Sequence, residues 1–199
     1  MSPLPHESEM NTRVARTHAA VMEAATELLL EGGPNALTID GVVARSGVAK
    51  STVYRHWATR DDLVAAVFDH VAPKLEPTDT SLGFEDALRC LVHRMVTMMA
   101  DPHWQRVLPA LMLLKINQGG IAEVDQRMRK EQLSVCTEVL QRGIAEGRIR
   151  ADDDQELLLT LLIGPMLMAG LSGTTKLNDA FADRLTDHFL SSTVPVATA

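Results

Sequence analysis

Apolar residues recur along most of this 199-residue chain at spacings of three, four and seven. Between Asn11 and Glu31, Val14, Val21, Ala25 and Leu28 mark one stripe, the periodicity of an amphipathic helix. Gly32-Gly33-Pro34 then supplies a helix stop. Thr38 stands as a cap before Ile39, Val42 and Val43, the inner face of a short second helix that ends at Ser46-Gly47, where glycine suits a left-handed cap. A third helix is predicted from about Lys50 to Trp57. A fourth opens at Thr59-Arg60-Asp61-Asp62, with Thr59 as cap and two acids complementing the helix dipole. Beyond a break at Pro73, Pro77 and the polar run 78–81, the pattern predicts helices over about 84–100, 102–117, 121–146, 154–173 and 178–191. Asp152-Asp153-Asp154 reads as the acidic start of a helix rather than as a metal cluster. No segment alternates with period two, and no internal repeat appears. The expected fold is all-α, with about nine helices.

The break near Pro73 predicts two domains, 11–72 and 73–191, with 1–10 and 192–199 as flexible tails. Hydrophobic residues at 46% and charged residues at 23% fit an ordinary globular chain with a sizeable core. The opening MSPLPHESEM has no apolar core of a signal peptide, and Cys90 and Cys136 share no metal or redox spacing. The expectation is a cytoplasmic protein with reduced, buried thiols. The longest apolar stretch, Leu157 to Leu171, falls short of the roughly twenty residues that a bilayer requires, so it reads as a buried helix.

Net charge is −7, which argues against a nucleic-acid partner until its distribution is considered. Residues 11–60 carry six basic and four acidic side chains, whereas residues 61–199 carry thirteen basic and twenty acidic ones. A mildly basic head therefore precedes an acidic body. Within the head, two short helices joined by a glycine turn and preceded by a longer helix follow the helix-turn-helix plan. Val53 and Trp57 lie four apart and pack inward, while Lys50, Ser51, Tyr54 and Arg55 project from the remaining surface. Thr52, Tyr54, His56 and Arg60 offer donors for phosphates, and Lys50, Ser51, Tyr54 or Arg55 can reach base edges. His18 on the first helix has no such support and reads as incidental.

The stretch IDGVVARSGVAKSTVYRHWATRDDLV, residues 39–64, closely resembles the DNA-binding signature of the tetracycline-repressor (TetR) family of bacterial regulators. Gly47-Val48, Thr52-Val53-Tyr54-Arg55-His56 and Arg60-Asp61-Asp62-Leu63 are the matching positions, and with the first helix the resemblance covers about residues 13–68. It implies a homodimer with a helix-turn-helix head and a helical body that binds a small-molecule effector, acting as a repressor on a palindromic operator of double-stranded DNA. Carried over by position, it places Thr38, Thr52, Tyr54, His56 and Arg60 on phosphates, and Lys50, Ser51, Tyr54 and Arg55 near bases. Ala49 departs from the family's Ser-type cap, Ser51 stands where Gly or Pro is frequent, and Trp57 replaces a commoner Phe.

The body matches no catalytic template: nucleophile elbow, HExxH, Walker loop and GxGxxG are all missing, and no cofactor, metal or membrane partner is expected. Cys90 and His93 share a helix without further ligands, and read as a core cysteine beside a partly exposed histidine. Methionines cluster in the middle of the body, and methionine suits both irregular core gaps and adaptable apolar sites. Effector contacts are expected at Met95, Met99, Trp104, Leu108, Leu111, Met112 and Met166, with His93, Thr97 or Asn117 as polar partners, for a mostly apolar ligand. A helix apolar on nearly all sides, as over 154–173, must be covered by more than its own domain. The expected dimer interface is therefore Leu157, Leu161, Gly164, Met168 and Leu171, with Phe181, Leu185 and Phe189 from the last helix. The alternative reading is a helical small-molecule carrier or sensor without DNA binding.

Overall fold

The computed structural model describes residues 5–33, 35–72, 74–117 and 133–193, with the side chains of 5–13, 111 and 114–117 outside the description. Among the described residues all regular structure is helical: α1 (Pro5–Gly32), α2 (Ile39–Ser46), α3 (Lys50–His56), α4 (Arg60–Val71), α5 (Phe84–Met99), α6 (Pro102–Asn117), α7 (Ser134–Ala145), α8 (Gln155–Ser172) and α9 (Asp179–Ser192). The helix expected over 121–146 is seen as α7, and its earlier part lies outside the described residues. The first helix starts at Pro5 rather than Asn11, so residues 5–10 continue it instead of forming a tail. The chain divides into two compact units, Met1–Ala72 with Arg106–Asp125 and Pro73–Gln105 with Gln126–Ala199. Residues from Arg106 onward in α6 thus group with the first unit, although sequence order suggested the second.

In the first unit α1 packs against α2 and α4, and α2 against α3. The buried face of α1 is Val21, Met22, Ala25 and Leu29, whereas Val14, expected on that stripe, is exposed. Leu37, Ile39, Val42, Val53, Trp57, Leu63, Val64 and Val67 are buried with them. Each fully buried aliphatic side chain contributes about 1.5–3 kcal/mol, so these short helices depend on packing rather than on their own hydrogen bonds. Their ends are nonetheless set locally. Thr38 Oγ1 accepts from the Gly41 N–H at 3.0 Å to start α2. Gly47 ends it at φ +68°, its N–H donating to the Val43 carbonyl at 3.1 Å, a left-handed conformation that costs glycine little. Thr59 and Asp62 form a reciprocal capping box at the start of α4.

In the second unit α5 packs against α7, α8 and α9, and α8 also packs against α7 and α9. Phe84, Leu88, Leu91, Val92 and Met95 bury one face of α5; Cys136, Val139 and Leu140 do so on α7; Leu158, Leu162 and Met166 on α8; Ala182, Thr186 and Phe189 on α9. Gly83 precedes α5 without a capping side chain, and the Glu146 carboxylate takes its place, accepting from the Phe84 N–H at 2.9 and 3.1 Å. Asp154 caps α8 by accepting from the Glu156 and Leu157 N–H groups, and Asp152 pairs with Arg150 at 2.6 Å. Of the three consecutive aspartates, Asp154 thus acts as helix-start chemistry, and Asp152 is engaged by a neighbouring arginine. Pro165 lies inside α8, which continues through it.

Helix α8 is long and apolar enough, by length and composition, to cross a membrane. The expectation is a buried helix covered by more than its own domain, and within this chain only one side of it is covered. Its inner side is buried, but Leu157, Leu161, Met168 and Leu171 stand 54, 51, 66 and 41% exposed. These four recur at spacings of four, seven and three, the seam of a helix that packs lengthwise on another. Gly164 lies within this row, and a methyl group built there would meet nothing within 4 Å.

Candidate nucleic-acid interface

The turn between α2 and α3 brings together the side chains that the sequence assigned to DNA. Val53 and Trp57 point into the unit, at 0 and 5% exposure, which rotates Lys50, Ser51, Tyr54 and Arg55 outward as an exposed face. His56 is exposed, and its ring lies 5.5 Å from that of Trp57. Thr52 is half-buried, its N–H donating to the Ala49 carbonyl at 2.8 Å. Ala49 has no side-chain oxygen and gives α3 no side-chain cap.

Several of these groups have partners that sequence could not supply. The Lys50 ammonium sits 2.6 Å from Asp40 Oδ1 and 5.8 Å from the centre of the Tyr54 ring. The hydrogen bond and charge of Asp40 raise the Lys50 pKa above its usual value, so Lys50 is a full cation at neutral pH. Arg60 is half-buried, and its Nε donates to the Leu37 carbonyl at 2.7 Å, tying the start of α4 to the segment before α2. Thr38 is exposed, with its oxygen committed to the α2 cap. Arg45 at the end of α2 pairs with Glu31 at 2.7 Å and Glu27 at 3.5 Å, fastening α2 to α1. That pairing raises the Arg45 pKa and lowers that of Glu31, the hydrogen bond being the first cause of each.

His18, which read as incidental, has a structural role. Its ring lies 5.1 Å from that of Trp57, on the opposite element of the core. Its pKa is lowered, first by partial burial and then by the charges of His70 and His56. The neutral ring is therefore favoured against the indole. A contact across 39 residues leaves no local sequence signal; the same is true of the Asp40–Lys50 pair.

In the second unit the expected effector contacts are mainly core. Met95, Met99 and Met166 are buried. Met95 accepts from the Cys136 thiol at 3.9 Å, and Met99 accepts from the Trp104 indole N–H at 3.3 Å. His93 is not a free polar contact: its ring nitrogens lie 2.8 Å from Asp183 and 3.5 Å from Asp179 on α9. Arg89 joins the same cluster through Asp183 and Asp187. Thr97 is exposed and donates to the His93 carbonyl. In the first unit Leu108 is buried and Met112 half-buried, while the side chains of Leu111 and Asn117 lie outside the described residues.

Two further expectations change. Cys90 is exposed and only Cys136 is buried, because Cys90 falls on the outer side of α5. Phe189, expected at a dimer interface, is buried within its own unit, whereas Phe181 and Leu185 are half-buried.

Comparison with known proteins places this geometry. Residues 21–67 match the family described as bacterial regulatory proteins, tetR family, and residues 78–189 match the tetracyclin repressor-like C-terminal domain. The chain is 26% identical over 168 residues to the uncharacterized HTH-type transcriptional regulator YdeS of Bacillus subtilis, covering 83% of each. Over 73 residues, 37% of this chain and 39% of the other, it is 42% identical to the HTH-type transcriptional repressor Rv3405c of Mycobacterium tuberculosis. The transcriptional regulator FadR of Bacillus subtilis, solved in complex with stearoyl-CoA, superposes with a TM-score of 0.65 over 87% of this chain and 97% of its own, at 16% identity. That likeness concerns the fold. The two family matches bracket the helix-turn-helix and nearly all of the second unit between them, and the protein belongs to the TetR family of bacterial transcriptional regulators.

Proposed function

We propose that the protein is a transcriptional repressor that binds a palindromic operator as a homodimer and is released by a small, mostly apolar effector. The observation that carries the reading is the exposed row Lys50, Ser51, Tyr54 and Arg55, held out from a recognition helix whose opposite side is buried. Lys50 and Arg55 supply cations and Ser51 and Tyr54 supply hydroxyls, the mixture that base edges and phosphates accept. Thr52, His56, Thr38 and Arg60 are assigned to the phosphate side, with Arg60 and Thr38 acting mainly by fixing α4 and α2. The protein works as a DNA-bound regulator rather than as an enzyme, in the cytoplasm where its operator is.

Self-association is proposed through the exposed seam of α8: Leu157, Leu161, Met168 and Leu171, with Gly164 permitting close backbone approach. Phe181 and Leu185 of α9 extend it. The effector is proposed to be apolar because the body offers methionines and a tryptophan, while its polar cluster of Arg89, His93 and Asp183 is already internally paired. FadR, of the same fold, carries a ligand with a long acyl chain in stearoyl-CoA.

Gel-shift and footprinting on the DNA upstream of its own gene test the reading, over a salt series. The expected result is a protected palindrome whose affinity falls steeply with salt. Tyr54→Ala is expected to abolish the footprint in a folded protein, and a normal footprint from that variant would refute the assigned face. Light scattering on Leu161→Glu tests the seam: the wild type is expected as a dimer, and the variant as a monomer.

A further inference from the structure

The acidic residue on the recognition face has no place in a surface built only to attract phosphates. Asp40 lies in the first turn of α2, is exposed, and holds the Lys50 ammonium at 2.6 Å. The same ammonium lies over the Tyr54 ring one turn further along α3, at 5.8 Å, within cation–π range. Asp40, Lys50 and Tyr54 thus form an ordered row on the outer side of the helix pair. We propose that Asp40 is a specificity-determining residue, which turns Lys50 from a phosphate clamp into half of a reader for a G·C base pair. This rests on the reading that α3 faces DNA.

The chemistry runs as follows. A lone lysine on this face would bind any phosphate and so would strengthen binding to every sequence equally. Lys50 keeps its charge, but the Asp40–Lys50 pair as a whole carries none, and the carboxylate repels a phosphate that approaches it. The pair therefore lowers affinity for mixed-sequence DNA. In the major groove, guanine offers two acceptors, N7 and O6, and its cytosine partner offers the N4 amino donor. An ammonium beside a carboxylate matches that pattern, with Lys50 donating to guanine and Asp40 accepting from cytosine. An A·T pair offers a different order of groups, and its thymine methyl meets the carboxylate unfavourably. The pair is solvent-exposed on both sides, so neither ion is committed to the other strongly enough to resist exchange for a base.

The test uses the full-length protein and the duplex that the wild type selects from a randomised pool, with a random-sequence duplex as competitor. Affinities are measured for wild type, Asp40→Asn, Lys50→Ala and Tyr54→Ala across a salt series, and again with each G·C pair of the selected duplex replaced by A·T. Far-UV circular dichroism confirms that each variant is folded. Asp40→Asn is expected to bind the random duplex several-fold more tightly, with the magnitude of its salt slope raised by about 0.9 per head. It is also expected to lose discrimination at one G·C position by about 5- to 150-fold, the range of one good base contact. Unchanged salt slope and unchanged base preference in Asp40→Asn, with Lys50→Ala weakened, would overturn the proposal while leaving the interface intact. Loss of binding to every duplex by folded Asp40→Asn would overturn it too, because Asp40 would then be needed for binding as such. If neither Lys50→Ala nor Tyr54→Ala affects binding, the placement of α3 on DNA is wrong, and the proposal fails with it.

Discussion

Replacing Trp57 with alanine should unlock the recognition helix. Trp57 is 5% exposed, its N–H donates to the Val53 carbonyl at 2.9 Å, and its ring lies against His18 and His56. A tryptophan buries about 150–250 Å², which at about 25 cal/mol per Å² sets an upper figure of about 4–6 kcal/mol. Measured losses for large-to-alanine changes in cores run about 3–5 kcal/mol, and that narrower range is the expectation here. Since domains are stable by only about 5–15 kcal/mol, such a loss brings the first unit to the edge of unfolding. Hydrogen exchange with mass spectrometry reads this locally. At about 1.4 kcal/mol per decade, α2 and α3 peptides of Trp57→Ala should exchange about a hundred- to several-thousand-fold faster than in the wild type. Peptides from α5 and α7 serve as the internal control. Trp57→Phe keeps an aromatic ring in place and should lose far less protection. A change within fivefold for Trp57→Ala would refute the assignment of Trp57 as the anchor of α3.

Three further outcomes follow from particular contacts. Glu146→Ala removes the carboxylate that caps α5 across 62 residues of chain, and should cost about 1 kcal/mol; calorimetry should show Tm lower by about 2–4 °C, and an unchanged Tm would dismiss the cap. Of the two thiols, exposed Cys90 should react with an aromatic disulfide reagent near pH 8, while Cys136, its pKa pushed up to about 11 by burial, should react only after unfolding. Two fast equivalents in the native protein would contradict the burial. The carboxyl of Asp183 is held below its ordinary pKa, first by the hydrogen bond from His93 and then by the charges of His93 and Arg89. Its stabilisation is present above the unfolded value of about 3.9 and is lost as pH falls through the lower folded value. Thermal melts of the wild type should therefore drop more steeply below about pH 4 than those of His93→Ala, and superimposable acid limbs would show that the α5–α9 cluster contributes nothing.

Much of the fold was legible because its signals are local. Thr38, Gly47, Thr59 with Asp62, and Asp154 set helix ends through atoms within a few residues, and each is found where spacing placed it. The inward side of α3 was equally legible, since Val53 and Trp57 are one turn apart. Where sequence reading went astray, the deciding neighbour was distant. His18 read as incidental because Trp57 is 39 positions away, and Cys90 read as core because its helix is amphipathic but its rotation depends on α7, α8 and α9.

The same division runs through the candidate site. Taken by itself, the sequence determined an all-α chain, a basic head before an acidic body, and a helix-turn-helix whose Lys50, Ser51, Tyr54 and Arg55 face outward. These are consequences of helical periodicity and of caps, which act over one or two turns. Only the tertiary structure decided that Asp40 pairs with Lys50, that Arg60 spends its Nε on the Leu37 carbonyl, and that Phe189 turns inward while Leu161 and Met168 remain uncovered. Those outcomes depend on how helices rotate against one another, and an ion pair or a buried face exists only once two separate stretches of chain have met.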